Sequence, residues 1–209
     1  MSTASRAAWL STCLFIAGCA PAARPAVPVP APTAAAAAAA SEQSPNAPPE
    51  IPWSANRPLT WEDFLGPAPL EGVEGARTVY LLSYESRCRG AEFTFGVTAV
   101  VLPSRSWVKP RVLTSVAESA RILQHEQTHF NLTESYARRM RKFFKELYNP
   151  CGLVEERLKE SVERFVQDEA EAQRRYDDET GFGLKPQTQD RWDRDVADML
   201  ATLAPFAQQ

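Results

Sequence analysis

The chain has 209 residues, and its 23 basic and 26 acidic side chains give a formal net charge of −3. Charge of both signs is spread along the sequence, with no basic stretch interleaved with aromatic residues, so nucleic acid is not an expected partner. Hydrophobic residues make up 44% of the chain. That fraction is enough for one buried core, which we expect within a single domain over residues 53–209.

The first 19 residues have the features of an export signal. The apolar run of residues 7–17 is too short to span a bilayer. The run ends in Ile16-Ala17-Gly18-Cys19, which resembles the lipobox of bacterial lipoproteins and implies cleavage before Cys19 and lipidation of its thiol. We therefore expect a lipid-anchored protein of the cell envelope, at the outer membrane and facing the periplasm or the exterior. The alternative is an ordinary secretory signal that is cleaved a few residues later.

Residues 20–52 are rich in proline and alanine and contain few bulky apolar side chains. Such a composition cannot build a core and favours an extended tether. We expect this segment to hold the following domain away from the membrane.

The first part of the domain has the composition of β-structure. Residues 78–84 and 93–102 are rich in β-branched and aromatic residues, and Gly90 lies in the polar stretch between them. This pattern predicts an antiparallel hairpin, with Trp61 and Phe64 in a shorter element packed against it. The later strand is also a candidate edge for binding an extended peptide.

Helices are predicted for the rest of the domain. Residues 115–148 contain no internal proline or glycine, and Asn149-Pro150-Cys151-Gly152 interrupts the pattern before a second helix from about residue 153 to residue 180. A short terminal helix is expected over residues 189–200. The predicted class is α+β, a small antiparallel sheet followed by a long helical hairpin.

The only two histidines of the chain lie four residues apart in His125-Glu126-Gln127-Thr128-His129. On a helix this spacing places both rings on one face, where they can bind a single Zn²⁺. Glu126 can then act as a general base on a water molecule at the metal, which is the arrangement of HExxH metallohydrolases. We expect His125 and His129 to be metal ligands and Glu126 to be catalytic.

The second predicted helix carries carboxylates that could supply a third zinc ligand. Pairing the apolar stripes of the two helices in an antiparallel hairpin leaves Glu169 as a carboxylate on an otherwise apolar seam, near His129. Burying an unpaired carboxylate is costly, so Glu169 is the candidate third zinc ligand. Asp177 and Glu179 remain alternatives, although helical periodicity directs them away from the seam.

Two further residues on these helices receive expected roles. Tyr176 falls opposite His125 and is a candidate hydrogen-bond donor to the oxyanion, or else an ordinary aromatic residue of the seam. Glu134 lies about 180° around the helix from His125, so we expect it to be a structural or supporting carboxylate.

Four cysteines are present, of which Cys13 lies in the signal and Cys19 is the expected lipidation site. Cys88 and Cys151 remain as an even pair in an oxidising compartment, which predicts a disulfide. In the chain-entropy description, closing a loop of this length stabilises the fold by roughly 3 to 4 kcal/mol.

These segments together resemble a bacterial family known as domain of unknown function 922, which has been associated with zinc-dependent secreted proteases. The similarity covers residues 57–200, including Arg57-Pro58-Leu59-Thr60-Trp61, the HExxH segment and Tyr176-Asp177. The resemblance implies a zincin-like metallopeptidase. In one place the chain departs from the family pattern, since Phe182-Gly183 stands where that pattern has His-Gly.

The sequence thus favours a zinc-dependent peptide hydrolase anchored in the envelope, acting on a peptide or protein substrate. The main alternative is a lipid-anchored binding module with a structural or vestigial zinc site, an interpretation that Phe182 supports. A lipoprotein without any metal requires the spacing of the two histidines to be incidental.

Overall fold

The computed structural model describes residues 48–153 and 155–208. The expected signal peptide, Cys19 and the tether up to residue 47 lie outside the described residues. Within the described part, no helix combines the length and the apolar character that crossing a membrane requires.

Within residues 48–153 and 155–208, five strands form two antiparallel sheets. They are β1 (Ile51–Pro52), β2 (Ala76–Arg77), β3 (Tyr80–Arg89), β4 (Glu92–Val101) and β5 (Trp107–Val108). β4 lies between β1 and β3 in the larger sheet, and β2 pairs with β5 in the smaller one. β1, the first strand of the described residues, therefore occupies the last two positions of the segment assigned to the tether.

The long hairpin of β3 and β4 matches the prediction in position and in sense. Tyr80 lies opposite Val101 at one end, and Arg89 lies opposite Glu92 at the other. The turn is shorter than expected, because residues 87–89 belong to β3. Gly90 occupies the turn with φ of 61°, a conformation that glycine adopts without strain.

Three helices follow the sheets. They are α1 (Val116–Glu146), α2 (Glu155–Thr180) and α3 (Pro186–Thr202). Ser115 caps α1, because its side chain accepts a hydrogen bond from the backbone N–H of Glu118. Asn149, with φ of 45°, and Pro150 end the first half of the hairpin. The α+β prediction is confirmed.

α1 is the central element, since it contacts the sheet on one side and the other helices on the opposite side. The cluster against the sheet joins side chains of β4 with those of α1 and α2: Val97, Ala99, Val101, Phe130, Ala137, Met140, Phe144 and Val162. The second cluster joins the three helices: Leu132, Tyr136, Ala172, Tyr176, Trp192 and Val196. Burial on both sides holds α1 in a fixed position.

A buried ion-pair network also ties α1 to the sheet. Glu134 is 2% exposed and accepts hydrogen bonds from Arg138 Nε at 2.9 Å and Arg141 Nη1 at 3.0 Å. Arg141 in addition donates to the backbone carbonyl of Val97 in β4. A buried carboxylate with two guanidinium partners is satisfied, so Glu134 has a structural role here.

A disulfide joins Cys88, near the tip of the β3–β4 hairpin, to Cys151 in the loop between α1 and α2, with the Cα atoms 5.8 Å apart. The bond closes a loop with a sequence separation of 63 residues. It holds the end of the sheet against the closed end of the helical hairpin.

Candidate metal centre

Three potential ligand atoms converge between α1 and α2. The Nε2 atoms of His125 and His129 are 3.1 Å apart. Asp177 Oδ1 lies 3.2 Å from the first and 2.9 Å from the second. Among the described residues, these three form a group that can hold a metal ion.

The separations fit a tetrahedral ion. Bonds of about 2.0 Å from a Zn²⁺ to nitrogen and oxygen ligands place neighbouring ligand atoms roughly 3.3 Å apart. The two rings are buried, whereas Asp177 is partly exposed. An ion at this point would therefore face the protein on the histidine side and open space on the other.

The tautomers of both histidines also suit a metal. His129 Nδ1 lies 2.7 Å from Gln173 Oε1, and His125 Nδ1 lies 3.1 Å from Gln189 Oε1. An amide oxygen only accepts, so each Nδ1 carries the proton and each Nε2 has a lone pair directed at its neighbours.

The amide orientations on which this depends are fixed by neighbouring oxygen acceptors. Gln173 Nε2 donates to Glu169 Oε1 at 2.7 Å and to the backbone carbonyl of His129 at 3.1 Å. Gln189 Nε2 donates to Asp193 Oδ1 at 2.7 Å. Because a carbonyl or an ionised carboxylate can only accept these bonds, both amide oxygens face the rings. Three electron-rich atoms then meet within about 3 Å, which is unfavourable unless a cation lies among them.

In the metal-free protein a proton can serve as that cation. Burial by itself lowers the pKa of His129, but the hydrogen bond and the charge of Asp177 outweigh it and raise this pKa above its ordinary value. Burial likewise opposes ionisation of Asp177, yet its bonds to His125 and His129 hold its pKa well below the usual range. The cluster thus favours bound positive charge.

Glu126 lies beside the cluster. It is 2% exposed, and its Oε2 accepts a hydrogen bond of 2.7 Å from the backbone N–H of Thr78. It shares with the cluster a cavity of about 180 Å³. The cavity is lined by Glu74, Gly75, Ala76, Arg77, Thr78, Tyr80, Ile122, His125, Glu126, His129, Asp177 and Phe182.

Two hydroxyl groups belong to residues of this cavity wall. Thr78 Oγ1 is the one buried side-chain polar atom of the described residues that has no hydrogen-bond partner. Such an atom normally indicates an unseen water molecule or ligand. The ring of Tyr80 stacks on His129 with centroids 6.0 Å apart. Burial, together with the charges of Glu169 and Asp177, raises the pKa of Tyr80 well above its ordinary value, so its hydroxyl stays protonated.

Glu169 lies away from the three converging atoms, contrary to its expected role as third ligand. It is buried and accepts hydrogen bonds from Thr133 Oγ1 at 3.0 Å and from Gln173. Eight residues separate it from Asp177, a distance of about 12 Å along a helix axis. Glu169 is therefore level with Thr133, one turn beyond His129, and Asp177 is level with the rings.

The other carboxylate considered from the sequence has different partners. Glu179 Oε2 accepts hydrogen bonds from Arg191 at 2.7 Å and from Trp192 Nε1 at 2.9 Å. It thus connects α2 to α3 rather than contributing to the cluster.

Tyr176 supports His125 from behind. Its ring stacks on the imidazole with centroids 4.6 Å apart, and its hydroxyl donates to the backbone carbonyl of His125 at 3.2 Å. The side chain is completely buried and does not line the cavity. A role as oxyanion donor does not fit this position, whereas Tyr80 is the tyrosine that faces the cavity.

The chain turns sharply after α2, directly against the cluster. Gly181, Phe182 and Gly183 all have positive φ, of 58°, 57° and 74°. A Cβ at Gly183 would lie 2.9 Å from His125 Cβ. Phe182 lines the cavity beside Ile122 and has no atom that could bind a metal.

In the sequence analysis, Asp177 was only an alternative to Glu169, and neither glutamine was singled out. A signal was present, because Glu169, Gln173 and Asp177 recur every four residues and so form one polar stripe on α2. Gln189 and Asp193 repeat the same spacing on α3.

The fold and the site together define a small α+β domain with a buried His-His-Asp cluster that can hold a metal ion. The model of the bacterial protein family of unknown function DUF922 matches residues 71–183. The chain belongs to this family. All three residues of the cluster and Glu126 fall inside the matched segment, while α3 lies outside it. Comparison with curated proteins and with solved structures finds no match.

Proposed function

We propose that this protein is a zinc-dependent peptide hydrolase. The observation that carries the proposal is the convergence of two imidazole nitrogens and one carboxylate oxygen at one end of a cavity that also contains Glu126. In this proposal His125, His129 and Asp177 hold the ion. A bound Zn²⁺ would polarise a peptide carbonyl and lower the pKa of a coordinated water molecule.

The protein's own residues would handle the proton and the substrate. Glu126, fixed by the N–H of Thr78, would take a proton from the attacking water and return it to the leaving amine. The protonated hydroxyl of Tyr80 would donate a hydrogen bond to the carbonyl oxygen as it gains negative charge. This replaces the role first considered for Tyr176.

The backbone of β2 offers a place for an extended peptide. Ala76 pairs with Val108 and Arg77 with Trp107, and Lys109 N–H donates to Gly75 O. In this antiparallel register the N–H and C=O of Ala76 point away from β5, on the edge where Thr78 N–H meets Glu126. A substrate strand could add there. β4 is less suited, since it contributes none of the described residues that line the cavity.

Substitution of the general base tests the proposal. Glu126→Gln should retain one equivalent of zinc but hydrolyse an unfolded protein substrate at least about 100-fold more slowly, because the amide cannot accept the proton. Metal content is measured by mass spectrometry, and turnover with fluorescently labelled casein. Glu146→Gln, at an exposed position of the same helix, is the control and should match the wild type. Undiminished turnover by Glu126→Gln would rule out this residue as the base.

A binding module is the second candidate, and Phe182 is the observation in its favour. This side chain lines the cavity and offers neither a ligand atom nor a hydrogen-bond donor at a position where the family pattern has histidine. Stoichiometric zinc in the wild-type protein without cleavage of casein or of a peptide library would favour this function over hydrolysis.

We also propose an envelope location with a lipid anchor on Cys19. The lipobox-like sequence and the proline-rich stretch after it support this proposal. The pairing of Cys88 with Cys151 is consistent with an oxidising compartment.

A further inference from the structure

Two carboxylates are each connected to a histidine ring of the candidate metal site through one glutamine side chain. Glu169 on α2 reaches Gln173, whose oxygen reaches His129. Asp193 on α3 reaches Gln189, whose oxygen reaches His125. None of these four residues belongs to the group of three that converges on the candidate metal site, and the two chains of contacts have the same chemistry although they come from different helices.

We propose that Glu169 and Asp193 are positioning residues that select the metal-binding tautomer of each histidine through Gln173 and Gln189. The proposal rests on the metal centre described above. It concerns how the ligands are prepared and holds for a catalytic or a structural ion.

A carboxylate is needed because an amide group can face a histidine ring in two orientations. A glutamine can present either its oxygen or its NH₂ group to an imidazole. If Gln173 turned its NH₂ towards His129, Nδ1 would have to accept, and the ring proton would move to Nε2. The lone pair that binds the metal would then be lost.

A carboxylate removes this ambiguity because it has no proton to donate when ionised. Glu169 Oε1 accepts a hydrogen bond from the NH₂ group of Gln173 at 2.7 Å, and the same NH₂ group donates to the backbone carbonyl of His129 at 3.1 Å. Thr133 Oγ1 donates to Glu169 Oε1 at 3.0 Å. On the other side, Asp193 Oδ1 takes the NH₂ group of Gln189 at 2.7 Å and also accepts from Thr128 Oγ1 at 2.6 Å. Each amide is therefore held with its oxygen towards the ring.

This arrangement also accounts for the burial of Glu169. Burial raises the pKa of Glu169 above its ordinary value, and the hydrogen bonds from Gln173 and Thr133 offset only part of that rise. A carboxylate that is 6% exposed and held by a hydroxyl and an amide has no evident use in packing. Fixing the orientation of Gln173 is a function that explains why Glu169 is buried.

The test compares Zn²⁺ affinity in variants that remove each carboxylate. Glu169→Leu and Asp193→Leu should each bind Zn²⁺ roughly 10- to 100-fold more weakly than the wild type, the range for loss of supporting contacts around metal ligands. Affinity is measured by competition with a chelating dye, and folding by circular dichroism. Glu171→Leu and Asp195→Leu, at exposed positions of the same helices, are the matched controls and should retain wild-type affinity.

A rescue variant separates positioning from packing. Adding Gln173→Glu to Glu169→Leu places an acceptor-only group beside His129, so the tautomer no longer depends on residue 169. Zn²⁺ affinity should return to within about threefold of the wild type. Adding Gln189→Glu to Asp193→Leu should do the same for His125, and it keeps the test open if Glu169→Leu does not fold. A merely structural role predicts no rescue.

Nitrogen NMR of the imidazoles gives a direct reading of the tautomer. The wild type should show protonated Nδ1 on both rings with Zn²⁺ bound, and the single variants should show mixed tautomers without metal. Wild-type affinity and a wild-type tautomer in both single variants would overturn the proposal. Failure of the wild type itself to bind Zn²⁺ would instead refute the metal centre on which the proposed function depends.

Discussion

His125 and His129 are presented to Asp177 by atoms that are not themselves ligands. Amide oxygens hold the Nδ1 side of each ring, Tyr176 stacks on the first ring and Tyr80 on the second. Because these contacts fix the rings, an ion that binds there would need little reorganisation of the protein. Preorganisation of this kind is what a small metal site requires for useful affinity.

At this scale the metal-free protein should show a distinct pH dependence. The raised pKa of His129 stabilises the fold fully below the ordinary value of about 6.5, and this contribution is lost as pH rises through the higher folded-state pKa. The lowered pKa of Asp177 stabilises the fold above its ordinary value of about 3.9, and that contribution is lost on acidification. These two contributions are therefore both present between about pH 4 and pH 6.5.

Urea unfolding in the presence of a chelator, from about pH 5 to about pH 9, measures this dependence. The free energy of unfolding should fall as pH rises beyond about 6.5. Asp177→Asn removes the charge that raises the pKa of His129 and should flatten the curve. A variant with the same slope as the wild type would show that the pair does not control stability in this range.

Individual residues mark the limit of what the sequence could predict at the site. His125, Glu126 and His129 were assigned from their spacing on one helix, which is a local property. Asp177 was directed away from the seam by periodicity, yet its carboxylate reaches both rings. The relative position of α1 and α2 decides which turn of α2 lies next to the histidine rings. A helical wheel drawn for one helix alone gives no information about that relative position.

At the scale of elements, β2 belongs to the smaller sheet and also lines the cavity beside the candidate metal site. It has only two residues, Ala76 and Arg77, but one of its edges is covered by β5 while the other lies along the cavity. A short strand with one free edge can bind the backbone of many different sequences. It is less able to select among side chains, so we expect broad specificity for extended segments.

Removing the free N–H of this edge should weaken substrate binding. Ala76→Pro deletes a donor that points away from β5, so the ladder between β2 and β5 keeps its bonds. We expect kcat/KM for an extended peptide to fall about tenfold through KM, with Zn²⁺ affinity unchanged. Because Ala76 is 6% exposed and packs with Val112 and Ile122, folding is checked by circular dichroism, and Zn²⁺ affinity is the control. Unaltered kcat/KM would show that peptides bind elsewhere.

Most elements followed from local pattern. The hairpin around Gly90 and the break at Asn149-Pro150 lie where turn-forming residues predicted them. β1, β2 and β5 were missed because strands of two residues have no detectable alternation. They exist through pairing with distant segments, for example Ile51 with Val101.

At the scale of the whole molecule, the disulfide and the Glu134 network each link the helices to the β3–β4 hairpin. The bond between Cys88 and Cys151 closes a loop of 63 residues, which corresponds to roughly 4 kcal/mol in the chain-entropy description. The disulfide thus stabilises the described domain at the closed end of the helical hairpin, far along α1 from the histidines. Substitutions at the metal centre can be studied without the fold depending on the ion alone.

The expected lipid anchor gives a prediction for the whole chain. Cys19→Ala should prevent lipid attachment, so the protein should move from the membrane pellet to the soluble fraction after cell breakage and should lose labelling by palmitate. Cys13→Ala, within the same signal, is the matched control and should remain in the pellet. An unlabelled wild-type protein would contradict the anchor and favour an ordinary secretory signal.

The turn at residues 181–183 lies against His125 and restricts which substitutions are tolerated there. Position 183 combines φ of 74° with a virtual Cβ only 2.9 Å from the histidine, so any side chain there would push the ring off its axis. Leu184, the next residue, is 58% exposed and free to vary. Substitutions should therefore be poorly tolerated at position 183 and well tolerated at position 184, although neither residue lines the cavity.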